Sequence, residues 1–171
     1  IGPQPITSNY AKINIVSLDW INGRRTPYAN QNLKAAFSNL TLGSGAPEIF
    51  LSLIYAICFG SKKIIERFSE EGLKIKKVIG VGGIAKKSPF IMQTMANVLD
   101  IPISICLSEQ TPALGAAISA SVASGIYKTI PEAIKIMGSD FEKVYYPEKI
   151  KVERLKKMYI NYHQLSMVTE N

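Results

Sequence analysis

The sequence predicts an α/β fold, a small sheet with parallel strands layered against helices. Three observations carry that prediction. Short apolar, β-branched runs alternate with longer stretches of helical spacing. One run, Val78, Ile79 and Val81, ends in Gly82-Gly83 and is followed by a helix signature. A second, Ile103 to Leu107, is followed by another helix signature, so the two strands should lie parallel, joined by a right-handed crossover.

The elements follow in order. Residues 1–12, with two prolines and little periodicity, read as a loose lead-in. Ile13 to Trp20 alternates apolar and polar at first and then turns apolar, a strand candidate. Asn22-Gly23 makes a turn, and Arg24-Arg25-Thr26-Pro27 opens a long polar loop containing Asn30, Asn32 and Asn39. A loop of that length serves either as a functional segment or as a solvated connector. Pro47-Glu48 opens the longest helical pattern, with Ile49, Phe50, Leu53, Ile57, Ile64, Ile65 and Phe68 on one broad face and Gly72 as its stop. Gly60 and Ser61 within it mark either a local weakness or a close approach by a neighbouring element.

Ser88 is the expected N-cap of the next helix, Pro89 suits its first turn, and Asp100-Ile101-Pro102 ends it. Thr111-Pro112 is read as the cap and first turn of a helix rich in Ala, Ser and Gly that ends at Gly125. Small residues let such a helix lie close to a sheet, or bring its start near a ligand. Thr129 and Glu132 match a capping box for a short helix reaching Gly138. From Glu148 to Leu165, Val152, Leu155, Tyr159, Tyr162 and Leu165 recur at helical spacing among lysines, an amphipathic terminal helix.

Bulk properties narrow the function classes. A chain of 171 residues, 47% hydrophobic, can bury one proper core, so one domain is expected. No window approaches the roughly 18 uninterrupted apolar residues of a membrane span, and no secretory signal pattern opens the chain, so a cytoplasmic protein with no membrane partner is expected. Cys58 and Cys106, both in apolar contexts, fit free buried thiols in a reducing compartment. The net charge of +7 is spread over many lysines without aromatic interleaving, which favours a solvated surface over nucleic-acid binding. His163, the sole histidine, has no cysteine near it in sequence, so no metal site is expected.

The stretch with most chemical content is Lys77 to Gln93. Adjacent glycines after a strand let a flat or charged ligand approach the backbone, and helix starts favour anions. The third glycine and downstream acid of a dinucleotide fingerprint are absent, as is the Gly-Lys-Ser/Thr of a P-loop. Taken alone, the pair fits a structural turn as well as a nucleotide site.

Four stretches together say more: Leu18 to Pro27, Leu42-Gly43 ahead of a helix containing Ile57 to Gly60, Ile79 to Pro89, and Ser108 to Ala117. In this order they resemble the C-terminal part of the FGGY carbohydrate kinases, over nearly all of residues 13–160, and within that family the branch acting on L-ribulose. The resemblance implies an incomplete actin-like ATPase (ribonuclease H-like) C-terminal domain with long flanking helices: 1–12 lead-in, 13–147 partial nucleotide-binding domain, 148–171 C-terminal amphipathic helix. It implies ATP or ADP with Mg²⁺ as cofactor, and transfer of the γ-phosphoryl group to a sugar hydroxyl, giving L-ribulose 5-phosphate in arabinose breakdown.

Carried over by position, Gly83 and Lys87 line the nucleotide. Gly82 allows the turn, Lys86 adjoins it, and Ala113 and Gly115 bring the small-residue helix beside it. The family's glycerol kinases tend to carry asparagine where Lys87 stands. Asn22, Arg24 and Arg25 resemble a loop facing the cleft between two lobes. The proton-accepting aspartate of the family belongs upstream, so no catalytic residue is expected here and this polypeptide alone should not turn over. An open sheet edge would favour a homo-oligomer. Another pentulose or glycerol kinase, or a non-catalytic oligomerisation module keeping the half-fold, are the competing readings.

Overall fold

The computed structural model describes residues 13–170; the expected lead-in, 1–12, lies outside them. They form two compact units. The first comprises the described residues up to Ile75, with Asn97–Asp100 and Glu148 onward; the second comprises Lys76–Ala96 and Ile101–Pro147.

In the first unit, β1 (Val16–Ser17) pairs antiparallel with β2 (Phe37–Ser38), and a Leu18 N–H to Ala36 carbonyl bond of 2.9 Å extends the ladder. The strand expected over Ile13 to Trp20 is therefore only two residues long. Its buried side chains, Ile13, Ile15, Val16, Leu18 and Trp20, still form the centre of this unit. The polar loop is not structureless, because it folds back to supply β2.

Helix α1 (Ala46–Glu70) packs on β1, and Glu48 reaches back to the Gly45 N–H at 3.1 Å to close its N-terminus. Gly72 ends it as expected: its N–H bonds Ser69 and that of Leu73 bonds Phe68, a Schellman arrangement. The buried face differs from the one expected. Leu51, Ile54, Cys58 and Phe59 are buried, whereas Phe50 is 55% and Ile57 52% exposed. Apolar residues occur on every side of α1, so spacing alone does not choose the face.

Helix α6 (Lys149–Glu170) buries Val152, Leu155 and Tyr162, on the expected face, against β1 and α1. Phe59 meets Tyr159 and Tyr162 with ring centroids 5.4 Å from each.

The second unit is built on a three-stranded sheet of order β3 (Val78–Gly80), β4 (Ile103–Cys106), β5 (Phe141–Tyr145). β3 and β4 are parallel, as expected from the intervening helix α3 (Pro89–Leu99), and Ser88 caps α3 by accepting from the Ile91 N–H at 3.4 Å. β4 is buried along its whole length, as a central parallel strand should be. β5, antiparallel to β4, was not expected. Its pairing carries a bulge: consecutive Ile105 and Cys106 oppose Lys143 and Phe141, leaving Glu142 as the extra residue.

Helix α4 (Thr111–Ala123) is capped one residue earlier than expected, at Gln110; the Thr111 hydroxyl instead donates to the Ser108 carbonyl at 3.2 Å. α4 packs on α5 (Ile130–Met137), where Thr129 accepts from the Glu132 N–H at 3.3 Å. Glu132 itself reaches the Lys128 N–H at 3.0 Å, so the capping box closes one residue early. Only Ile118 and Ser121 of α4 are buried, and its alanine-rich side faces outward.

Candidate functional site

The carboxyl ends of β3 and β4 lie side by side because the strands are parallel and in register, Gly80 opposite Ile105. Ligands of open α/β sheets bind at such ends. β3 runs through Val81 into Gly82, whose φ of 84° and ψ of −177° belong to a region effectively open only to glycine. Gly83 then begins α2 (Gly83–Lys87), a short helix without a side-chain cap. Methyl groups built on Gly82, Gly83 or Gly115 would meet no protein atom within 4 Å. The backbone angles account for Gly82, but crowding by neighbouring atoms does not explain the absence of a side chain at Gly83 or Gly115, and the turn presents bare backbone. Such an exposed turn leaves main chain open to a ligand. Ala113 and Gly115 stand exposed in the first turns of α4, the helix that follows β4.

The lysines of α2 differ. Lys87 is exposed. Lys86 is turned inward: its ammonium donates to the Leu107 carbonyl at 2.6 Å and lies 3.8 Å from Glu109 and 3.6 Å from Glu142. The sequence reading placed both lysines beside the nucleotide, and the fold commits Lys86 to these three oxygens. Cys106 ends β4 beneath the same connector, with the Thr111 hydroxyl 3.9 Å from its sulfur. The Ser139 hydroxyl lowers its thiol pKa, with help from the Ser108 backbone, against the raising effect of burial.

Asn22, Arg24 and Arg25 lie in the first unit, lining a cleft of about 690 Å³ with Asp19, Trp20, Gly60 and Tyr162. Gly23, at φ +85°, closes the turn that starts it, and a methyl there would sit 2.6 Å from the Gln31 Cα. Reciprocal backbone bonds of 2.9 Å between Arg24 and Asn30 close the loop, which contains the cis Thr26-Pro27 peptide. Arg24 lies 5.2 Å above the Trp20 ring, donates to the Tyr28 carbonyl at 2.7 Å and pairs with Glu170. Arg25 is exposed.

Sequence reasoning passed over Asp19, whose signal is a carboxylate set between Leu18 and Trp20 in an apolar run. Burial raises its carboxyl pKa, and its own backbone N–H opposes the shift. The Asp19 charge is the second cause, after burial, that raises Tyr162 and pushes the Cys58 thiol up to about 12. Gly60 borders this carboxylate, and a methyl on it would lie 3.6 Å from Asp19, an ordinary contact that crowding does not forbid. The glycine turn is not part of this cleft.

Comparison with known proteins agrees with this architecture. The C-terminal domain of the FGGY family of carbohydrate kinases matches residues 7–124. The chain is 44% identical to the ribulokinase of Vibrio parahaemolyticus over 156 residues, covering 91% of this chain and 27% of that protein. It is 37% identical to the ribulokinase of Bacillus licheniformis over 155 residues, covering 88% and 28%. It thus spans little more than a quarter of the curated relatives it matches. Among solved structures, a ligand-bound xylulose kinase from Lactobacillus acidophilus superposes with a TM-score of 0.81 at 24% identity, covering 91% of this chain and 31% of that one. A Plasmodium falciparum glycerol kinase with ADP superposes at 0.70 and 17%, covering 89% and 30%. These likenesses give the fold, that of the actin-like ATPase domain of sugar kinases. The chain belongs to the FGGY family of carbohydrate kinases, as part of their C-terminal domain.

Proposed function

We propose that the chain is the C-terminal nucleotide-binding portion of an ATP-dependent kinase that phosphorylates L-ribulose to L-ribulose 5-phosphate in arabinose breakdown, in the cytoplasm. One observation carries this reading: a glycine turn stands bare at the carboxyl ends of two parallel strands, in a chain 44% identical to a ribulokinase over 91% of its length. ATP with Mg²⁺, when bound, supplies the transferable phosphoryl group. In this reading, Gly82 shapes the turn, Gly83 lets the nucleotide lie on the main chain, and exposed Lys87 offers a cation to phosphate. Ala113 and Gly115 keep α4 low beside it. Asn22 and Arg25 line the cleft and serve the phosphate or sugar side, while Arg24 holds their loop. The proton acceptor comes from outside residues 1–171, so this polypeptide alone does not turn over.

The test uses the complete gene product. ATP and Mg²⁺ with L-ribulose should yield ADP and a 5-phosphorylated pentulose, faster than with D-xylulose or glycerol, and calorimetric titration should show ADP binding that Gly83→Asp abolishes. Faster turnover of another acceptor would overturn the sugar assignment, and unchanged ADP binding by the Gly83 variant would overturn the nucleotide site. The reading includes self-association through the β3 edge, where Ile79 is 50% and Val81 53% exposed. A monomer at every concentration in size-exclusion chromatography with light scattering would refute that part.

A further inference from the structure

We propose that Lys86 is a positioning residue for the nucleotide site and not one of its ligands: it ties the glycine turn to the start of α4. The inference rests on the reading of Gly82-Gly83 as that site.

α2 has little else to hold it. Among its five residues only Ala85 is buried, and no side chain caps its start. A segment so sparsely packed opens locally unless polar contacts fix it. Lys86 provides them, and its ammonium is sheltered, with the side chain 20% exposed. The three oxygens it meets belong to three places: the carbonyl of Leu107 just past β4, Glu109 in the connector to α4, and Glu142 on β5. Glu142 is the extra residue of the β5 bulge. A bulge re-aims a side chain, and this one supplies a carboxylate to Lys86.

The connector is itself held on its other side. The Leu107 N–H donates to the Asp140 carbonyl and the Ser108 N–H to the Ser139 hydroxyl, each at 2.8 Å. Through Lys86, α2 is therefore referenced to a connector that is already fixed. Without it, the turn and the helix after β4 lose their common anchor, and a ligand touching both must order them at the expense of binding.

The test is steady-state kinetics of the complete kinase, with ADP titration. Lys86→Met should raise the KM for ATP about tenfold, the loss expected for one charge-assisted bond together with two ion pairs, while kcat and the sugar KM stay within about twofold. Lys86→Arg, whose guanidinium can reach the same oxygens, should restore most of the affinity. Glu142→Gln should raise the ATP KM by about threefold in the wild-type background and have no effect in Lys86→Met, because the two act as one unit. If Lys86→Met fails to fold, the Arg and Glu142→Gln variants decide. An ATP KM unchanged in Glu142→Gln, or independent effects of the two substitutions, would overturn the inference. So would kcat falling in step with rising KM. Wild-type binding abolished by Gly83→Asp but untouched by Lys86→Met sinks this inference alone, whereas binding insensitive to Gly83→Asp sinks the site itself.

Discussion

Gly82 and Gly83 are neighbours of which the backbone requires only the first, and replacing each with alanine separates their roles. At Gly82 the φ of 84° and ψ of −177° lie where an alanine costs about 1–3 kcal/mol, and open space around it offers no compensating contact. Gly83 has no left-handed φ, stands at the first position of α2 and also faces open space. Alanine there should leave stability unchanged or raise it by about 0.4–1 kcal/mol, chiefly by restricting the unfolded chain. Its methyl group enters the space assigned to the nucleotide. Thermal melts followed by circular dichroism should therefore show a loss of a few degrees for Gly82→Ala and none for Gly83→Ala. ADP titration should show affinity reduced about tenfold or more for Gly83→Ala. If Gly83→Ala melts early while binding ADP normally, the second glycine is structural and the argument from bare backbone fails.

Other expectations follow from the first unit and the thiols. Phe59 is 3% exposed at the centre of the aromatic cluster, so Phe59→Ala should cost about 3–5 kcal/mol, read as a large fall in the urea midpoint. The Cys106 thiol is lowered by the Ser139 hydroxyl and the Cys58 thiol is pushed up to about 12 by burial. Both thiols are buried, so iodoacetamide at pH 8 should label Cys106 slowly, through local opening at the end of β4, and Cys58 only on unfolding, as mass spectrometry of the peptides would show. Burial raises the Asp19 carboxyl above its usual 3.8, so the folded state holds that proton more tightly than the unfolded one. Stability from this group is complete below the unfolded pKa and is lost as pH climbs through the raised folded one. Asp19→Asn should remove that slope and raise the melting temperature at pH 7, and an unchanged pH profile would refute the assignment.

How much of this was legible beforehand depends on distance along the chain. The strand over Val78 to Gly80, the turn after it, the Ser88 cap and the Gly72 stop are written in adjacent residues, and they stand where the sequence puts them. β5 alternates Phe141, Lys143 and Tyr145 with Glu142 and Val144, a weak pattern that only pairing with β4 turns into a strand. The cleft was half visible. Its loop announces itself through Asn22 to Pro27, but the residues that complete it, Tyr162 to Glu170, arrive from about 140 positions away, and no local pattern encodes that meeting.

The same limit explains the two lysines of α2. In sequence both are cations a few residues past a glycine pair, and composition treats them alike. What separates them is a contact that spacing cannot express. Lys86 falls on the side of α2 facing the end of β4, where a backbone carbonyl and two carboxylates converge, and Lys87, one residue on, points to solvent. A helix step of about 100° therefore divides them. One cation is tied to the ends of β4 and β5 while the other stays exposed, a division that helical geometry makes once β4 and β5 are in place.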